Sequence, residues 1–176
     1  MTTPPRALRR FLKAQDGAAA VEMSLVGVVF LGAVFNAVEI GRYGLALLQV
    51  NTAAQAGVAA AYKACDTQHL PATQNCADLA TAVGAALHST SLGDKIALQG
   101  SIQEGWYCVN ATTKKLQYMD NASSKPADCT AAQNAGAAPG LYLSVQASYA
   151  YKVLMPGTVA ATFAPTIART AMTRLL

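Results

Sequence analysis

Two sets of residues have types and spacings that could take part in chemistry. The first is the run Gly17-Ala18-Ala19-Ala20-Val21-Glu22, with basic residues before it and a long apolar stretch after it. A carboxylate five residues inside an apolar helix is expensive at bilayer depth and asks for a physical reason. Proteolysis after Gly17 supplies one. Ala18 would become a positive N-terminus, and Glu22 would become a counter-ion for that amine, in its own chain or in a neighbour. Pairing two groups that are each costly in lipid can set the axial register between packed helices. Gly17 suits such a cut because it has no side chain to obstruct a protease. The chemistry expected at this site is therefore done to the chain, not by it.

The second set is Cys65, Cys76, Cys108 and Cys129, all of which follow the apolar run. An even number of cysteines confined to one side of a membrane predicts two disulfides in an oxidising compartment. Four cysteines allow three pairings. Cys65–Cys76 with Cys108–Cys129 is favoured because each bond closes a short local loop, but spacing alone leaves the pairing open. Zinc is disfavoured, since there is no CxxC pair and His69 and His88 are not spaced with the cysteines. Neither histidine has a nucleophile or ligand set at a meaningful spacing. No Ser/His/Asp, Cys/His or paired-carboxylate arrangement stands out, and no phosphate-binding glycine loop is present. No enzymatic activity, cofactor, metal or small-molecule substrate is expected. Asn110-Ala-Thr and Asn121-Ala-Ser match glycosylation acceptors, a triplet that arises often by chance.

The elements that must position these residues follow from the patterning. Residues 18–38 are apolar except for Glu22, and about 20 such residues cross a bilayer core. Arg6, Arg9, Arg10 and Lys13 precede the run. That positive-inside arrangement places the N-terminus in the cytoplasm and residue 43 onward outside. Without an interleaved aromatic face, the basic cluster does not predict nucleic-acid binding. The helical pattern continues without proline to about Tyr62. It passes Glu39 and Arg42, three apart and facing each other at the expected membrane boundary. Ala53, Ala56, Gly57 and Ala60 form a small-residue face suited to close helix packing.

Beyond Cys65, a loop containing Pro71 leads to a second helix over 77–88, with Leu79, Val83 and Leu87 on one stripe. Strands are expected near 96–102, in a hairpin over 106–119, over 141–153 and over 166–174, with a loop at 120–139 and a helical turn at 158–164. The 141–153 segment alternates most clearly, with Leu141, Leu143, Val145 and Ala147 on one face. The fold class is α+β, a long N-terminal transmembrane helix followed by a short helix and a small antiparallel sheet. Hydrophobic residues make up 53% of the chain, but aromatics only 7%. Alanine supplies much of the apolar count and buries little area, so the core outside the membrane is thin and needs covalent help or partners.

The leader, Gly17, Glu22 and the apolar helix resemble class III prepilin signals of type IV pilins. The stretch DGAAAVEMSLVGVVFLGAVFNAVEIGRYGLALLQVNTAAQAGVAAAYKA resembles the TadE-like family, minor pilins or pseudopilins of the tight-adherence (Tad/Flp) pilus. Gly17, Ala18, Val21, Glu22 and Leu25 match its G-A-x-x-V-E-x-A-L core, and Glu39, Gly41 and Arg42 match an E-x-G-R element. The resemblance covers about residues 16–62. Met23 departs from the common Phe or Tyr, and the chain is longer than Flp-type major pilins.

The resemblance implies a cytoplasmic leader over 1–17, a pilin-like helix over 18–64 and a periplasmic or extracellular domain over 65–176. It also implies anchoring in a bacterial inner membrane, cleavage by a prepilin peptidase and contact with other minor pilins and assembly proteins. Adhesion would be the downstream biology. Two other readings are a type II secretion-like pseudopilin, disfavoured by the absence of a Gly-Phe-Thr-Leu-like start, and an uncleaved periplasmic binding or sensing module.

Overall fold

The computed structural model describes residues 16–65, 67–163 and 165–176, except for the side chains of Asp16, Ala18 and Ala160. The leader cations Arg6, Arg9, Arg10 and Lys13 lie outside the described residues. The architecture is α+β, with one long N-terminal apolar helix, short helices and a small antiparallel sheet. The chain divides into two compact units, one of Met1–Arg42 with Val153–Phe163 and one of Tyr43–Lys152 with Ala164–Leu176.

Helix α1 runs unbroken over Asp16–Ala64. No proline interrupts it, and alanine is frequent along its length, which favours continuity. Its first part is long and apolar enough to cross a membrane. An 18-residue window there has mean hydropathy 2.0, and only 6% of that window is buried. A core helix of a water-soluble domain would be mostly covered. Here Met23, Val28, Val29 and Phe30 are all exposed, the arrangement that suits an apolar solvent.

In the second unit α1 changes character. Ala46, Val50, Ala53, Ala54, Val58 and Ala61 are buried at helical spacing, so one face turns into a protein core. Gly57 shows how tight that face is. A β-carbon there would sit 3.1 Å from Val145 Cγ1 and 3.3 Å from Leu87 Cδ2. The small-residue face expected to receive another helix thus packs within this chain. Gly57 meets helix α3 (Leu79–Leu87) and strand β4 (Gly140–Ala150), while Ala56 and Ala60 are half-buried.

The sheet comprises β1 (Ile96–Leu98), β2 (Gln103–Val109), β3 (Leu116–Asn121), β4 and β5 (Thr166–Arg174). All pairings are antiparallel. β4 is the central strand, bonded to β5 along one side and to β1 and β2 along the other, with β3 outside β2. Its period-two pattern holds, with Leu141, Leu143, Val145 and Ala147 buried. The strand ends at Ala150, short of the expected Val153. The Tyr151 N–H still donates to the carbonyl of Pro165, the next residue in the β5 register, and proline has no N–H to extend the ladder further.

The segment expected to be only a loop near Pro71 contains the one-turn helix α2 (Ala72–Asn75). Its first amides donate to Glu104 of β2, from Ala72 N at 3.0 Å and Thr73 N at 2.8 Å, and Thr73 Oγ1 adds a third bond at 2.9 Å. The 120–139 segment holds a short 3-10 turn at Thr130–Ala132.

Candidate functional site

Gly17 stands in the first turn of α1, exposed, and among the described residues no side chain or distant backbone lies within 4 Å of where a β-carbon would be built on it. The backbone of Ala18 is helical in the same turn. Glu22 is also exposed, one turn further on. Residues at 18 and 22 are separated by one helical turn and share a face. Among the described residues nothing packs on Gly17, and Glu22 is exposed.

Glu39 and Arg42 pair as their spacing predicts, but Glu39 is covered. A solvated ion pair would leave both partners in water, but the Glu39 side chain is only 1% exposed while Arg42 is 41% exposed. Arg42 Nη1 donates to both Glu39 oxygens, at 3.1 and 3.2 Å. Oε1 of Glu39 also accepts the backbone N–H of Leu154 at 3.2 Å. One turn earlier Asn36 Oδ1 accepts the Val159 N–H at 2.7 Å, while its amide donates to the Gly32 carbonyl at 2.7 Å. Glu39 and Asn36 therefore hold the segment Val153–Phe163 on α1, where backbone amides would otherwise go unpaired.

Sequence reasoning missed this attachment and the part played by Asn36. Two polar residues three apart on an otherwise apolar helix were the available signal, since they share one face.

The cysteines pair as Cys65–Cys76 and Cys108–Cys129, with Cα–Cα distances of 5.9 and 5.6 Å. Cys108, Cys129 and Ala132 form a small buried cluster joined by Met119 and Ala137. This bond fastens the 120–139 segment to β2.

The remaining singled-out residues have structural surroundings. Trp106 is buried, donates from its indole to the Ala122 carbonyl at 3.1 Å and carries Lys125 Nζ 5.3 Å above its ring centre. Tyr107 packs edge-on against Tyr118 and Tyr142. Burial, and then the charge of a Tyr118 phenolate, push the Tyr107 hydroxyl above the usual tyrosine value. Asn110 closes the β2–β3 turn, its Oδ1 accepting the Thr112 and Thr113 amides, and Asn121 Oδ1 accepts the Ser123 amide. Both acceptor triplets thus sit at turns held by their own asparagine. His88 lies 3.3 Å from Asp94, both exposed. Among the described residues no group of three or more His, Cys, Asp or Glu could hold a metal.

No protein-family profile, curated protein or solved structure matches this chain.

Proposed function

We propose that this chain is a minor pilin, or pseudopilin, that takes part in assembling a Tad/Flp-type pilus and performs no catalysis. The observation that carries the reading is the pairing of an exposed Gly17 with an exposed Glu22 at the head of an apolar helix, in a chain that also holds a small disulfide-bonded sheet unit. In this reading a prepilin peptidase cuts after Gly17, with residues 1–17 on the cytoplasmic side of a bacterial inner membrane. The new Ala18 amine and Glu22 then set the register of α1 against neighbouring pilin helices. The Tyr43–Lys152 and Ala164–Leu176 unit stands in the periplasm or on the filament, where its disulfides are stable. Its partners are the peptidase, other minor pilins and the inner-membrane assembly proteins.

The separation of processing from assembly tests this role. In a strain lacking the native copy, Glu22→Ala should still be cleaved but should fail to restore piliation, while Glu22→Asp should restore part of it. Full piliation by Glu22→Ala would remove the register role from Glu22. Normal piliation in the strain lacking the chain altogether would remove the assembly role.

A further inference from the structure

The segment Val153–Phe163 is held to α1 from within. Its Leu154 and Val159 amides are spent on Glu39 and Asn36. Thr158, itself buried, donates to the Met155 carbonyl at 3.0 Å, and Thr162 donates to the Val159 carbonyl at 2.6 Å. Gly157 takes a φ of +90°, which lets the chain turn sharply after Pro156.

With its Leu154 and Val159 amides bonded to α1 and Thr158 buried, the segment still presents large apolar side chains outward. Leu154 is 61% exposed and Val159 55% exposed. The same stretch of α1 exposes Phe35, Val38 and Ile40. Asn36 lies 17 residues after Ala19, a rise of about 25 Å along the helix, against a hydrocarbon core of about 30 Å. The attachment therefore falls at the far end of the apolar run, and Leu154 and Val159, bonded to Glu39 and Asn36, adjoin the stretch of helix that exposes Phe35, Val38 and Ile40.

We infer that Val153–Phe163 is a membrane-surface element, seating Leu154 and Val159 in the interfacial layer of the lipid bilayer beside the point where α1 leaves it. Adjacency to the span selects lipid as the occupant. Pairing of the Leu154, Val159 and Ala161 amides lowers the cost of bringing this backbone into that layer. The inference rests on α1 being a membrane span and does not depend on the pilus role.

Depth-dependent quenching of added tryptophans tests it. The full chain is reconstituted in phosphatidylcholine vesicles whose lipids carry bromine either near the headgroup or deep in the acyl chain. Leu154→Trp and Val159→Trp report on the segment. Phe30→Trp reports on the span, and Tyr118→Trp is an exposed site on β3; buried Trp106 is a constant background in all four. The expected result is quenching at 154 and 159 by shallow bromine more than by deep bromine, with 118 unquenched. Quenching at 30 with none at 154 or 159 would overturn the inference and leave the span intact. No quenching at 30 either would overturn the span and the inference together. A spectral shift at 154 and 159 that is independent of bromine and grows with the protein-to-lipid ratio would assign the patch to a second copy of the chain and overturn lipid as its occupant.

Discussion

Glu39 sits on a helix whose neighbouring side chains face outward, yet its carboxylate is covered and accepts both from Arg42 and from the Leu154 amide. Hydrogen bonds to charged groups contribute about 1.5–3 kcal/mol each. Glu39→Ala should therefore speed hydrogen exchange at the Leu154 amide about ten- to a hundredfold, read by exchange mass spectrometry in detergent micelles. Glu39→Gln keeps an acceptor oxygen and should speed it less. Unchanged exchange in both variants would mean that the carboxylate does not hold the segment.

Two titrating residues give opposite pH effects. The Thr130 backbone and side chain hold the exposed Asp128 carboxyl below the usual aspartate value. A depressed folded value contributes stability that is present above the unfolded value of about 3.9 and is lost as pH falls through the folded one. The stability difference between the native chain and Asp128→Asn should therefore shrink below about pH 4. Tyr107 is raised, chiefly by burial. Its contribution is whole below about pH 10 and is lost as pH rises through the folded value. Tyr107→Phe should remove that alkaline loss in urea unfolding. Among the described residues no cysteine is free to confuse the measurement by thiol exchange.

At the scale of elements, Gly57 tests how α1 meets α3 and β4. Alanine gains about 1 kcal/mol of helix propensity over glycine, but its β-carbon would press on Val145 and Leu87. Gly57→Ala should thus change stability little. Gly57→Leu should cost about 1–3 kcal/mol by overpacking, measured by denaturant unfolding. In the same way Glu104→Ala should release α2, because three hydrogen bonds converge on that carboxylate.

Glu104 also marks where the sequence ceases to be readable. The helix over 79–87, the 166–174 strand and the buried face of β4 are written in local periodicity, which a single chain displays openly. α2 is not, because the acceptor of its first amides lies about thirty residues away. The anchoring of Val153–Phe163 by Asn36 and Glu39 is likewise hidden, since those partners are more than a hundred residues apart. At the candidate site, the run Gly17–Glu22 is legible by type and spacing. The burial of Glu39 is not, because an i, i+3 ion pair looks the same whether or not another segment covers it.

At the scale of the whole molecule, the fold joins an exposed apolar helix to a sheet unit whose core is small. The largest fully buried side chains are Leu87, Ile96, Leu141 and Leu143. Covalent links therefore matter more than in a large-cored domain. The two disulfides span 11 and 21 residues, and closing loops of that size stabilises by about 3 kcal/mol each in the chain-entropy account. Paired Cys→Ala replacement at either bond should lower unfolding stability by about that amount. Cys108–Cys129 should cost more, since its removal also empties a buried cluster.

The pilin reading also belongs to the whole molecule, because it unites the head of α1, the span and the sheet unit in one processed subunit. Intact mass and N-terminal sequencing of the membrane-purified protein, from cells with and without an active prepilin peptidase, test it most directly. The reading predicts a mature N-terminus at Ala18 that appears only when the peptidase is active. Retention of residues 1–17 in both strains would contradict it.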